Sequence, residues 1–251
     1  MTEAKKRTPL LGLTEEDVGD TVVLVLGEEA GKVTDSLKAI GCELIEISRR
    51  RESRTIRASR NKTSFPVVLG GYGSASATST LHELIVLGAK NFIMAGTCGA
   101  SRHFSPGEIF IISRAVFNPP GAAGGAGYYL HSNPGQEFVP DPELLIISRS
   151  LNLETAGSAI ISCDTFYGFG GIIDENGQLR YDGPALNEDN VTPGFQAFRD
   201  LLNRDDPFLL DMETAFFYAL CQAFQGVKGI AIRGISNYVP FNPDDFIPEE
   251  D

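Results

Sequence analysis

The chain has 251 residues, 42% hydrophobic and 22% charged, the proportions of an ordinary soluble α/β domain with a sizeable core. Lys+Arg 21 against Asp+Glu 33 leaves a net charge of -12 and a pI near 4.7, which opposes nonspecific attraction to nucleic acid or an anionic membrane. Cys42, Cys98, Cys163 and Cys221 lie too far apart for zinc pairs or a redox CxxC and read as reduced thiols. With no signal-type apolar stretch and no apolar run of bilayer length, the expectation is a cytoplasmic protein that is neither membrane-bound nor nucleic-acid-bound.

Thr21 to Gly27, TVVLVLG, is a β-branched run closed by glycine, and residues 29–40 carry Ala30, Val33, Leu37 and Ile40 on one helical stripe. ELIEIS (43–48), the alternating RTIRAS (54–59) and FPVVLGG (65–71) read as further strands, and ATSTLHELIVLG (77–88) as a helix stopped by Gly88. The dense basic run SRRRESRTIR (48–57) reads most plainly as a solvated edge strand. NFIMAG (91–96) fits a strand buried on both faces, and GEIFIISRAVF (107–117) one further strand. The Gly- and Pro-rich stretch 118–140 is a long loop of the kind that binds or covers ligands. Helix 141–151, strand GSAIIS (157–162), a second long loop (163–192), helix 193–203, strand PFLLDM (207–212), helix 213–225 and strand VKGIAIRGIS (227–236) complete the chain. The alternation predicts an α/β sheet covered on both sides, with no internal repeat and no linker.

In such sheets ligands collect at the carboxyl ends of strands, where Gly27, Gly70 to Gly73 and Gly96 to Gly99 are predicted as turns. LGGYGSAS (69–76) could hold an anion on free N–H groups, or be simple punctuation. It lacks the Lys-Ser/Thr of a P-loop and a complete dinucleotide pattern, so no nucleotide cofactor is expected. GTCGA (96–100) is expected to turn tightly and to offer backbone N–H groups and the Thr97 hydroxyl to phosphate or a sugar hydroxyl. LDMETAFF (210–217) sets Asp211 and Glu213 at a strand-to-helix junction, where a carboxylate can accept two hydrogen bonds from a diol. Asp211 reads equally well as a helix cap, which leaves Glu213 unexplained. His82, His103 and His131 have neither metal spacing nor a neighbouring carboxylate, and there is no G-x-S-x-G elbow.

Taken in order, LLGLTEED (10–17), VVLVLGEEAGKV (22–33), SRRRESRTIRA (48–58), GAKNFIMAGTCGAS (88–101), SPGEIFIISRAV (105–116), SCDTFYGFG (162–170) and LDMETAFFYALC (210–221) resemble the nucleoside phosphorylase family of purine and uridine phosphorylases. The likeness is strongest to uridine phosphorylases and runs from about Leu10 to Tyr238. It implies a single three-layer α/β/α domain around a central mixed sheet, residues 1–251, assembled as a homodimer or larger homo-oligomer. It also implies transfer of ribose C1 from the base to inorganic phosphate through an oxocarbenium-like transition state, giving free base and ribose 1-phosphate. Phosphate would be the co-substrate, with no metal or redox cofactor. By motif position Gly27 and Thr97 would touch phosphate, and Arg51 would reach the phosphate of the neighbouring subunit. Thr97, Met212 and Glu213 would bind ribose, and Phe166 and Asn237 would lie at the base; no residue is assigned as catalytic.

Departures from the family pattern concentrate in the same places. Gly31, with Lys32 beside it, stands where the family carries one phosphate arginine, and Met94 stands where it carries another. Each charge-assisted hydrogen bond so lost would cost about 1.5–3 kcal/mol. After Asp164-Thr165-Phe166-Tyr167 the chain continues Gly168-Phe169-Gly170-Gly171-Ile172, without the Gln and Arg that read uracil. Leu10 replaces a histidine that reaches the neighbouring ribose, and Asn237 stands where purine-specific members carry Asp and uridine-type members carry Asn. FNPDDFIPEED (241–251) has too little apolar periodicity for the closing helix of relatives. A phosphorylase is the leading expectation; a nucleoside hydrolase using water and a noncatalytic, nucleoside-binding or regulatory homologue remain beside it.

Overall fold

Side-chain alternation along β1 (Thr21–Leu26) sets the architecture. Val22, Leu24 and Leu26 pack into a core with Ala77, Leu81 and Leu84 of α2 (Gly73–Val86). Val23 and Val25 point the other way, into a second core with Ala30, Val33 and Leu37 of α1 (Ala30–Ala39). One strand with apolar side chains on both faces therefore requires helices on both faces, and the result is the expected three-layer α/β/α arrangement. The computed structural model describes residues 7–118, 124–129, 131, 133, 136–164, 171–173, 179–181 and 206–239.

The central sheet has eleven strands and is mixed. From one edge run β2 (Glu43–Arg50), β3 (Ser53–Arg60), β4 (Thr63–Gly70), β1 and β5 (Asn91–Ala100). Beyond β5 lie β12 (Leu209–Asp211), β9 (Ile160–Cys163) and β7 (Ala115–Asn118). The other edge of β5 pairs along its length with β13 (Lys228–Tyr238), which carries β6 (Ile109–Ile111) and, beyond it, β8 (Glu154–Thr155). α4 (Thr214–Ala223) is buried nearly all round, with Phe216, Phe217, Tyr218 and Leu220 in the larger core. The Tyr218 hydroxyl, enclosed with them, donates to Ile112 O at 2.5 Å and accepts from Ala231 N–H at 3.0 Å. α3 (Pro142–Arg149) is capped by Asp141, whose carboxylate accepts from two backbone N–H groups of its first turn.

Several expectations are corrected. GTCGA does not turn: it continues β5 as extended strand, because β13 pairs with it as far as Ala100. The predicted strand 107–117 is two strands, since β6 joins β13 and β8 while β7 joins β9 elsewhere in the sheet. Within the second long loop, β10 (Gly171–Ile173) and β11 (Leu179–Tyr181) form an antiparallel ribbon. The first long loop contains a short 3-10 turn, Gly124–Tyr128. Helix α2 begins at Gly73 rather than at residue 77, because carboxylates from distant segments accept from the N–H groups of Gly73 and Ser74. The expected helix 193–203 and the closing residues 241–251 lie outside the described residues. The basic run does fall on the β2–β3 hairpin at the sheet edge, and the four cysteines are buried and form no disulfide.

Candidate active site

A cavity opens where β5 changes partners. On the edge away from β13, β1 pairs with β5 only as far as Ala95, and β12 takes over at Gly99. The three residues between, Gly96 to Cys98, leave an opening in the sheet at the carboxyl end of β1, the position where open α/β sheets bind ligands. Gly27, Glu28, Tyr72, Thr97, Cys98, Met212, Glu213 and Asn237 are among the residues lining the cavity. Gly27 turns the chain out of β1 with φ 75, while its N–H still donates to Gly70 O at 3.1 Å. A Cβ on Gly27 would lie 2.9 Å from Tyr72 Cδ1, so the ring of this largely exposed tyrosine covers it.

The floor of the cavity is a buried charge cluster. Arg233, in the middle of β13 and 1% exposed, donates from Nη2 to Asp211 Oδ2 at 2.7 Å and to Glu213 Oε2 at 3.3 Å. Its Nε donates to Thr214 Oγ1 at 3.1 Å. Asp211 also accepts from Ser162 Oγ at 2.5 Å and from Thr214 N–H at 3.0 Å, so it caps α4 and pairs with the arginine at once. The other oxygen of Glu213 accepts from Gly73 N–H at 2.9 Å. Burial, assisted by the charge of Asp211, pushes the Glu213 carboxyl up to about 7 against the opposing pull of Arg233 and of the Gly73 and Met212 N–H groups. Glu213 is thus fixed at both oxygens by neighbours, in an orientation that leaves lone pairs for a diol.

On the opposite side of the opening, Thr97 N–H and Thr97 Oγ1 both donate to Glu28 Oε1, at 2.6 and 2.8 Å. Gly96 is glycine because two side chains cross it: a Cβ there would lie 2.5 Å from Arg233 Nη1 and 3.1 Å from Glu28 Oε1. Burial pushes the Cys98 thiol up to about 12, which removes it as a nucleophile.

Gly27, Thr97, Met212, Glu213 and Asn237, separated in sequence, are thereby brought to one cavity. Arg51 is not among its lining residues; it sits exposed at the tip of the β2–β3 hairpin with φ 50. Phe166 lies outside the described residues. Met94 is buried beneath Arg233, whose Nη2 is 3.8 Å from its sulfur. A guanidinium from the neighbouring strand therefore lies over the position that the family pattern gives to arginine. The N–H groups of LGGYGSAS that could have held a ligand anion instead hold protein: Gly73 donates to Glu213 and Ser74 to Asp164. Leu10 N–H and Leu11 N–H bond the buried Glu83 carboxylate. His82 contacts the Tyr129 hydroxyl, and His103 Nδ1 lies 3.3 Å from Ser101 Oγ.

Sequence reasoning missed Glu28, Tyr72 and Arg233. A signal existed for Arg233: a charge inside the apolar run IAIRGIS needs a buried partner, and LDMETAFF holds two carboxylates. Nothing comparable marked Glu28, one of two adjacent acids in a loop.

The sequence profile of the phosphorylase superfamily matches residues 21–250. The chain belongs to the phosphorylase superfamily. Uridine phosphorylase of Escherichia coli strain K12 is 25% identical over 231 residues, covering 90% of this chain and 83% of that protein. Guanosine phosphorylase of Halorubrum lacusprofundi is 23% identical over 250 residues, covering 97% and 91%. The crystal structure of purine nucleoside phosphorylase from Toxoplasma gondii in complex with immucillin-H superposes with a TM-score of 0.70 at 21% identity, covering 99% of this chain and 90% of that one. Nucleoside phosphorylases of this superfamily take inorganic phosphate as co-substrate and need no organic cofactor. Among the described residues, no three His, Cys, Asp or Glu side chains group as metal ligands, and no helix is long and apolar enough to cross a membrane.

Proposed function

We propose that this protein is an enzyme that cleaves the N-glycosidic bond of a ribonucleoside, releasing the free base. Glu213 accepts the ribose hydroxyls, Met212 packs on the sugar, Thr97 lies on the acceptor side of C1, and Asn237 faces the base. The reading is carried by one observation: a carboxylate fixed at both oxygens, Glu213, opens into the cavity that Thr97, Met212 and Asn237 also line. In the form suggested by the uridine phosphorylase relative, the products are uracil and ribose 1-phosphate, with phosphate at Gly27, Thr97 and the neighbouring subunit's Arg51. Purine and guanosine phosphorylases among the relatives leave the base open, so uridine, thymidine, inosine, guanosine and adenosine belong in one panel.

Residues 1–251 are read as one domain, in a cytoplasmic homodimer or larger homo-oligomer. Liquid chromatography of the reaction mixtures tests the central reading: base release from at least one nucleoside is expected. Absence of release from all of them would transfer the protein to the noncatalytic, nucleoside-binding class.

A further inference from the structure

The first turn of α2 is held from outside the helix. Tyr72, in its N-cap position, makes no side-chain capping bond, and the N–H groups of the next two residues end on carboxylates from distant segments. Gly73 N–H donates to Glu213 Oε1 at 2.9 Å. Ser74 N–H donates to Asp164 Oδ1 at 2.6 Å and Ser74 Oγ to Asp164 Oδ2 at 2.5 Å, so one carboxylate grips one residue at two points. Asp164 is the residue that follows β9; it is exposed and is not among the residues lining the cavity. Gly73 lies between this grip and the sugar side of the site: a Cβ there would stand 3.2 Å from Asp164 Oδ1 and 3.7 Å from Met212 Cε. A third segment closes on the same point. Gly124, in the Gly124–Tyr128 turn, packs so tightly that a Cβ would stand 2.6 Å from Ser74 Oγ and 2.7 Å from Asp164 Oδ2.

Resting on the reading that this cavity cleaves a ribonucleoside, we propose that Asp164 is a positioning residue for Glu213: by gripping Ser74 it fixes the first turn of α2, and with it the Gly73 N–H that orients the ribose-binding carboxylate. The Gly-rich stretch, through Gly124, and the segment after β9, through Asp164, thereby bear on the sugar anchor without touching the sugar. The charged and titratable groups around Glu213 are Arg233 from β13, Asp211 from β12 and, lining the same cavity, Glu28, Tyr72 and Cys98. The Gly73 N–H pulls the Glu213 carboxyl down against burial, so loss of that bond raises the pH at which it ionises. Loss of the negative charge of Asp164 by itself would lower it. Positioning and field therefore predict opposite signs when Asp164 is removed.

The test follows kcat/KM for base release from the nucleoside panel against pH, with inorganic phosphate present. In parallel, without substrate, it titrates the 13C carboxyl resonance of Glu213, assigned by its absence in Glu213→Gln. In Asp164→Ala both midpoints should move upward from about 7 by about half a unit to one unit, which is about a two- to fivefold loss of kcat/KM at pH 7. Asp164→Asn keeps an oxygen for Ser74 N–H and should return the midpoints to those of the parent. Gly124→Ala leaves every carboxylate in place, presses on the grip and should move them upward as well. Asp141→Ala removes the cap of α3, outside the cavity lining; it should lower the melting temperature and leave the midpoints where they are, which separates positioning from a general loss of stability. Should Asp164→Ala fail to melt cooperatively, Gly124→Ala and Asp164→Asn carry the same comparison. Midpoints that stay in place in Asp164→Ala and Gly124→Ala, or that fall in Asp164→Ala and Asp164→Asn alike, overturn the inference and leave nucleoside cleavage standing. Absence of base release from every nucleoside overturns the underlying reading alone, because the Glu213 resonance still moves upward in Asp164→Ala if the grip holds this carboxylate and stays put if it does not.

Discussion

At Gly96 the absence of a side chain decides what the site can be. The Arg233 guanidinium and the Glu28 carboxylate both pass over this residue, at 2.5 and 3.1 Å from where a Cβ would stand. Gly96→Ala is expected to destabilise the protein by about 1–3 kcal/mol and to displace the guanidinium, read as a lowered melting temperature with reduced base release. Glu213 carries a pH dependence. Its ionised form is the one able to accept from two ribose hydroxyls, and its carboxyl titrates near 7, so kcat/KM for base release should rise as pH increases through about 7. Glu213→Gln should flatten that limb and lower kcat/KM about 10- to 150-fold, the range for a lost charge-assisted hydrogen bond. Stability moves oppositely: with its pKa raised above the ordinary 4.5, the folded protein holds this proton more tightly than the unfolded chain. Its contribution to stability therefore falls as pH rises from 4.5 to about 7, and denaturant midpoints of the parent and Glu213→Gln across that window check the sign.

At the scale of elements, the sheet and the site share one joint. β13 carries Arg233 to the junction of β12 and α4, where Asp211 ends the strand and Glu213 is the residue before the helix. Removing the guanidinium leaves two carboxylates buried without their counter-charge. Arg233→Met should cost about 3–5 kcal/mol and lower the melting temperature by about 6–20 °C, measured by calorimetry. The sheet was legible because β1 alternates into two cores and β5 begins as an apolar run, patterns that a period of two reveals. The course of GTCGA was not legible, because two glycines suggest a turn when the pairing partner, β13, lies more than a hundred residues away. The site was legible in part for the same reason. Glu213 stood out as an acid that capping did not explain, whereas Glu28 acquires its meaning only from Thr97, a residue 69 positions distant that β5 brings alongside it.

For the whole molecule, the open question of assembly turns on β2. Among the described residues this strand is one edge of the eleven-stranded sheet, and the outer backbone groups of an edge strand invite another strand. Glu43, Glu46, Arg49 and Arg50 place charge along it, as an edge facing water requires, but Ile45 is 66% exposed among them. Arg51, at the tip of the hairpin that follows, is exposed and is not among the residues lining the cavity of its own chain. A second copy meeting this edge would cover Ile45 and give Arg51 a neighbour's site to approach. Size-exclusion chromatography with light scattering should find a dimer or larger assembly, and Ile45→Lys should shift it toward monomer without lowering the melting temperature of the separated chain. A parent protein that runs as a clean monomer would leave Arg51 in solvent and remove any site shared between subunits. Base release surviving in that monomer would then locate the whole chemistry within one chain, where Glu28, Thr97 and Glu213 already stand together.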